Sequence, residues 1–164
     1  MGNKIVKTLT SMIAGAAIST VIQEKTLGKL RRDAMRRIED DDEKFHEFYY
    51  LLLQWVHLHN EGKKLGDYLK RLGYNTVAIY GMKEIGEELL FDLQNSDIIV
   101  KYAIDRDADN IFVETDVYRP DDELLPVDCI IVTAIHWFDD IEYAMKKKMD
   151  CPILALDDLL YEAS

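Results

Sequence analysis

Cysteine, proline and tracts of a single residue type are scarce in this chain, and each shortage removes a class of protein. Its two cysteines, Cys129 and Cys151, lie inside apolar runs with no CxxC pair and no histidine at ligand spacing. A disulfide scaffold or zinc site is therefore not expected, and both are read as buried thiols of a cytoplasmic, reducing setting. Three prolines and the lack of any biased tract argue against disorder. Long hydrophobic runs are missing too. Residues 8–22, TLTSMIAGAAISTVI, carry no charge but are broken by Ser and Thr, and they fall short of the roughly 20 apolar residues that span a bilayer. Their Leu-poor centre also makes a weak secretory signal. A positive surplus is absent from most of the chain. The net charge is -11, and an acidic body lacking a basic, aromatic-studded face excludes nucleic acid as a partner.

What is present is enough for one core with an appendage: 164 residues, 48% of them hydrophobic and 31% charged. Charge divides the chain. Residues 1–38 hold Lys4, Lys7, Lys25, Lys29, Arg31, Arg32, Arg36 and Arg37 against Glu24 and Asp33. That is a surplus of six positive charges, so the remainder carries -17 of the total -11. Residues 1–40 are read as a basic helical arm, 41–75 as a helical lead-in packed on the domain, and 76–164 as the domain itself.

Within the arm, the small residues Ser11, Ala14, Gly15, Ala16 and Ala17 let another helix approach closely. Self-association and a frayed terminal helix are both consistent with this pattern. Lys25, Lys29, Arg32 and Arg36 then step along one helical face, with Leu27, Leu30, Ala34 and Ile38 opposite. Such a helix suits an anionic membrane surface, the acidic face of another copy, or simple exposure to water. A homo-oligomer formed through the arm is the partner expected, with a membrane-peripheral location as the variant.

The acidic run Glu39–Glu43 lacks the spacing and turn glycine of a calcium loop and reads as a helix start, with Asp41 or Asp42 as cap. Phe45, Phe48, Tyr49, Leu52 and Val56 follow at helical spacing with Trp55 beside them, and are expected as core. His57 and His59 are two apart and face different directions on a helix, and His46 lies eleven residues from His57, so no metal site is expected from these alone. Lys64 to Leu72 reads as a short helix stopped by Gly73.

From Thr76 the pattern changes to β-branched runs alternating with helical stretches. TVAIY (76–80) is followed by Gly81-Met82-Lys83-Glu84-Ile85-Gly86 and a helix to about Leu93, and IIVKYAID from Ile98 ends in Asp105, 19 residues after Gly86. This is strand, glycine turn, helix, and an acid closing the second strand. In dinucleotide-binding folds such a turn offers amides to a pyrophosphate, and the acid takes the ribose hydroxyls. Gly81, Met82, Lys83 and Gly86 are the candidates around phosphate, and Asp105 is the candidate for ribose. Lys83 stands where the G-x-G-x-x-G fingerprint has its middle glycine. It either obstructs close approach or meets a phosphate side-on as a point charge.

IFVET (111–115), CIIVTAI (129–135) and PILAL (152–156) are read as three further strands, with a brief helical turn at PDDEL and a helix over FDDIEYAMKKKM. The resulting expectation is an α/β, Rossmann-like, mostly parallel five-stranded sheet of order 3-2-1-4-5 with an N-terminal helical extension. Its switch point lies between Gly81 and the end of the fourth strand, lined by Thr133, His136 and Trp137. Thr133 joins the cofactor-binding candidates. His136 reads as a surface histidine, and no residue stands at a catalytic spacing.

At YGMKEIGEELL, VKYAID and CIIVTAI, and through the lead-in QWVHLHNEGKKLGDYLKRLGYNTVAIYG, the chain resembles the small Rossmann-like domains of bacterial polysaccharide-biosynthesis and nucleotide-sugar-modifying proteins. The likeness covers about Phe45 to Tyr161. It implies nucleotide contact at Gly81, Gly86 and Asp105 and no catalytic residue. The cofactor stays open: NAD(P), a nucleotide-sugar, and no ligand at all stand as equal alternatives. The function expected is a non-catalytic or regulatory nucleotide-binding module. The alternative is a self-assembling scaffold or membrane-peripheral protein that uses the arm. A compact NAD-dependent oxidoreductase fits least, since no second domain encloses a substrate.

Overall fold

A computed structural model describes residues 29–31, 33–37 and 41–164. The 8–22 segment, Lys25, Arg32 and the start of the following helix lie outside the described residues. Two compact units are present, residues 1–47 and 48–164. In the first, residues 29–31, 33–37 and 41–47 are helical, and Lys29, Arg36, Leu30 and Ala34 are all exposed. Asp41 and Asp42 are already within a helix, so neither is its cap. No helix among the described residues is long and apolar enough to cross a membrane.

The second unit begins within the helical run 41–60, whose part from 48 to 60 is α1. After it come α2 (Leu65–Arg71), β1 (Thr76–Tyr80), α3 (Glu84–Gln94), β2 (Ile99–Ile104), β3 (Val117–Tyr118), β4 (Cys129–Val132), α4 (Phe138–Met145), β5 (Ile153–Ala155) and α5 (Leu156–Ala163). The strands form one sheet in the order β3-β2-β1-β4-β5, and every pairing is parallel. This is the expected Rossmann-like α/β architecture. β1 and β4 are central and apolar along almost their whole length, as strands covered on both faces must be.

Alternation along those strands divides the core. Val77, Ile79, Ala103, Cys129 and Ile131 face one side, where Leu51, Trp55 and Leu58 of α1, Leu65 and Leu69 of α2, Leu89 and Leu93 of α3, and Leu159 and Leu160 of α5 cover them. Ala78, Tyr80, Tyr102, Ile104, Ile130 and Val132 face the other, under Ile141 and Met145 of α4. Burial pushes the Cys129 thiol up to about 12, with Cys151 and Asp128 adding to the rise. It is a packed apolar group, not a nucleophile.

Three local expectations fail. The third strand is not Ile111–Thr115. Those residues alternate between half-buried and exposed, and Ile111 and Val113 pack against the core. Ladder bonds to β2 begin only where the Asp116 carbonyl accepts the Ala103 amide at 2.8 Å. PDDEL makes a turn closed by the Asp122 amide on the Arg119 carbonyl and by the Arg119 amide on Asp122 Oδ2, without a helix. In α1 the buried residues are Leu51, Trp55 and Leu58, whereas Tyr49, Leu52 and Val56, and Phe45 before them, are exposed.

At the N-terminal edge of the sheet Asp128 ties β4 to β1. Its Oδ2 accepts the amides of Asn75 and Thr76, both at 2.8 Å. Those bonds hold its carboxyl below the usual range. A depressed folded-state pKa stabilises above the unfolded value, and that contribution disappears as pH falls through the folded value. Melting curves of the wild type and Asp128→Ala should therefore differ at neutral pH and converge in acid.

Candidate functional site

The two halves of the sheet diverge at the C-terminal ends of β1 and β4, which places the β1–α3 turn at the topological switch point. Gly81 has φ +98, a left-handed conformation that favours glycine. A Cβ there would stand 2.7 Å from the Thr133 hydroxyl. The Gly81 amide donates to the Ile104 carbonyl at 2.8 Å, which keeps the turn tight against the end of β2. Gly86 sits in the first turn of α3 directly under it. A Cβ on Gly86 would overlap the Gly81 carbonyl oxygen and lie 3.0 Å from its carbon. The third glycine of a dinucleotide turn has the same task, close packing of helix on strand.

Asp105 ends β2 and closes the constellation. Its Oδ2 accepts the Met82 amide at 2.8 Å, and its Oδ1 accepts the Asp107 amide at 2.9 Å. A carboxylate offers about four lone-pair sites, so acceptor capacity remains on both oxygens. From β4, Thr133 is 4% exposed and donates its hydroxyl to the Gly81 carbonyl at 2.7 Å. The structure thus brings Gly81, Met82, Gly86, Asp105 and Thr133 into one constellation.

Their individual roles differ from a simple phosphate cradle. Met82 puts its side chain into the core, 2% exposed, while its amide is taken by Asp105. Thr133 positions the turn through its hydroxyl. Lys83 stands at the N-cap position of α3 in an extended conformation, φ -86 and ψ -165, with its side chain exposed. That backbone does not need glycine, and the first turn of α3 has no side-chain cap.

Two neighbours carried no motif signal. Burial raises the Tyr80 hydroxyl above its ordinary value, and the Arg106 guanidinium hydrogen-bonded to it opposes the rise. Arg106 therefore stands directly after the ribose candidate, beside the end of β1. Phe48 of α1 meets His136 edge to face at 4.8 Å between ring centroids, so His136 is half-buried and not a plain surface residue. A shallow cavity of about 270 Å³ lies against Ile135, His136, Trp137, Phe138, Asp139 and Asp140. The described residues hold no group of three or more His, Cys, Asp or Glu that can bind a metal ion.

Comparison with protein-family models, with curated proteins and with solved structures finds no match. Strand order, the switch point and the residues gathered there are the ground for any functional reading.

Proposed function

We propose that the unit 48–164 is a non-catalytic or regulatory nucleotide-binding module that takes NAD(P) or a nucleotide-sugar. The observation that carries this reading is the bond from Asp105 Oδ2 to the Met82 amide, 2.8 Å long, which couples the acid ending β2 to the glycine turn at the switch point. A ribose hydroxyl pair approaching Asp105 meets a carboxylate already oriented by two backbone amides. A pyrophosphate next to it meets the uncapped first turn of α3, whose amides and dipole favour an anion. With the Met82 amide engaged by Asp105, the phosphate charge falls to those helix amides and to Lys83, acting from the side as a point charge. Arg106 supplies a second cation on the ribose side. Asp105 and Thr133 both hold the turn through hydrogen bonds, which supports a binding role over a catalytic one.

The test is thermal unfolding with and without millimolar NAD, NADP, nucleoside diphosphates and nucleotide-sugars. A ligand at 100 times its dissociation constant should add about 2.7 kcal/mol of stability. Asp105→Ala should abolish the shift, and Lys83→Ala should weaken it most for ligands with two phosphates. A protein whose midpoint moves with none of these ligands, at any concentration reached, would sink the proposal.

A further inference from the structure

The loop after β4 begins against the glycine turn. A Cβ on Gly81 would stand 3.4 Å from the Ala134 amide nitrogen and 3.5 Å from the Ala134 side chain, so the chain leaving β4 starts beside the phosphate candidates. It makes one 3-10 turn over Ile135–Trp137, closed by the Trp137 amide on the Ala134 carbonyl at 2.9 Å, and runs straight into α4. The shallow cavity of about 270 Å³ lies against this loop and the first turn of α4.

The other loop side chains are committed to the core. Ile135 packs on the face of the sheet covered by α1, α2, α3 and α5, Phe138 on the face covered by α4, and His136 meets Phe48. The loop is therefore pinned on both faces of the sheet. What it leaves to the solvent side is Trp137, 42% exposed, with the exposed Asp139 and Asp140. Neither carboxylate has a hydrogen-bond or ion-pair partner among the described residues. The lysines that follow α4 are engaged elsewhere. Lys146 pairs with Glu142 at 2.7 Å, Lys147 lies 3.6 Å over the Tyr143 ring, and Lys148 donates to the carbonyls of Pro120 and Asp122.

Size and polarity specify the occupant. Drug-sized ligands need roughly 300–1,000 Å³, so this cavity takes a single ring. Two carboxylates with no cation between them repel an anionic group, so a further phosphate does not belong here. A planar aromatic ring offers few donors and leaves both carboxylates desolvated. A sugar ring answers each feature. Its hydroxyls donate to carboxylate oxygens as charge-assisted bonds, and its C–H face lies on the electron-rich face of an indole.

We infer that this cavity is the glycosyl subsite of the switch-point site. With the pyrophosphate of a nucleotide-sugar on the first turn of α3, the sugar ring lies against Trp137 and donates hydroxyls to Asp139 and Asp140. The inference rests on the nucleotide-binding reading proposed above and narrows its ligand to nucleotide-sugars over NAD(P).

Thermal unfolding of the full chain, titrated with UDP and UDP-glucose, with GDP and GDP-mannose, and with NAD, gives the apparent affinities. At least one sugar nucleotide should bind about tenfold tighter than its parent diphosphate, the worth of one charge-assisted hydrogen bond. Asp139→Asn with Asp140→Asn, and separately Trp137→Ala, should remove that preference. A merely structural role for these side chains would weaken the diphosphate and its sugar nucleotide alike and leave their ratio unchanged. The preferred sugar nucleotide, but not its parent diphosphate, should also shift the indole emission of the wild type, because Trp137 is the exposed one of two tryptophans. Diphosphates that bind as tightly as their sugar nucleotides, or NAD binding tighter than either, would overturn the inference and leave nucleotide binding standing. A preference that survives both variants overturns it too, since the sugar then lies elsewhere. If no nucleotide moves the midpoint, the nucleotide-binding reading falls and this inference falls with it.

Discussion

Gly86→Ala is expected to lower the unfolding free energy by about 3 kcal/mol or more, at the upper end of overpacking penalties, and to abolish any nucleotide shift. The added methyl would overlap the Gly81 carbonyl oxygen and stand 3.3 Å from Met82 Sδ. The sulfur can move, but the carbonyl cannot. Its oxygen accepts the Thr133 hydroxyl at 2.7 Å, and the Gly81 amide is tied to Ile104. Relief requires α3 to slide off the sheet, which disturbs the packing of Leu89 and Leu93, or the turn to open, which breaks the Asp105 bond to the Met82 amide. Gly62→Ala is the matched control. Gly62 has φ +72 with open space around it, so alanine there adds only the left-handed penalty of roughly 1 kcal/mol. Denaturant midpoints of the two variants, compared at unchanged slope, separate steric overlap from backbone preference. Equal losses in both would show that Gly86 has room and that the turn is not packed as described.

How much could be read in advance depended on whether a residue's surroundings were local. β1, its glycine turn and α3 were legible because a β-branched run, Gly81 and Gly86 each answer to backbone chemistry within a few residues. The strand order followed from alternation of strand and helix. β3 was misplaced because alternation reports one-sided burial, not ladder pairing. Ile111 and Val113 hug the core as extended chain, whereas the chain pairs with β2 only from Asp116 onward. In α1 both sides of the helix are apolar, so periodicity could not choose between the Leu51/Trp55/Leu58 face and the Tyr49/Leu52/Val56 face. The packing of Leu51, Trp55 and Leu58 against the sheet and its helices decides it, with the Trp55 indole also donating to Asp92. Within the site, the residue types at positions 81, 86 and 105 pointed to the constellation. The engagement of the Met82 amide by Asp105, and the nearness of Arg106 to Tyr80, depend on how β1 and β2 end side by side.

Trp55→Ala should destabilise the protein by about 4 kcal/mol, within the range for removing a buried tryptophan. The indole is 6% exposed within the α1 side of the core, and its loss leaves a cavity that α1 and α3 cannot both close. It also removes the Nε1 donor from Asp92, leaving that carboxylate with His59 Nε2 at 3.4 Å. Trp55→Phe refills most of the volume without the donor and should lose only about 1 to 2 kcal/mol. Val56→Ala, one residue along at 54% exposure, should fall within about 0.5 kcal/mol of the wild type. The chain has two tryptophans, and the other, Trp137, is 42% exposed. Emission from Trp55→Ala should therefore shift to the red as the buried reporter disappears. Because Phe48 of the same helix, two turns from Trp55, contacts His136, which is close in sequence to Thr133, loosening α1 should also weaken the ligand binding proposed at the switch point. A Trp55→Ala protein as stable as Val56→Ala would mean that α1 is not docked through this side chain.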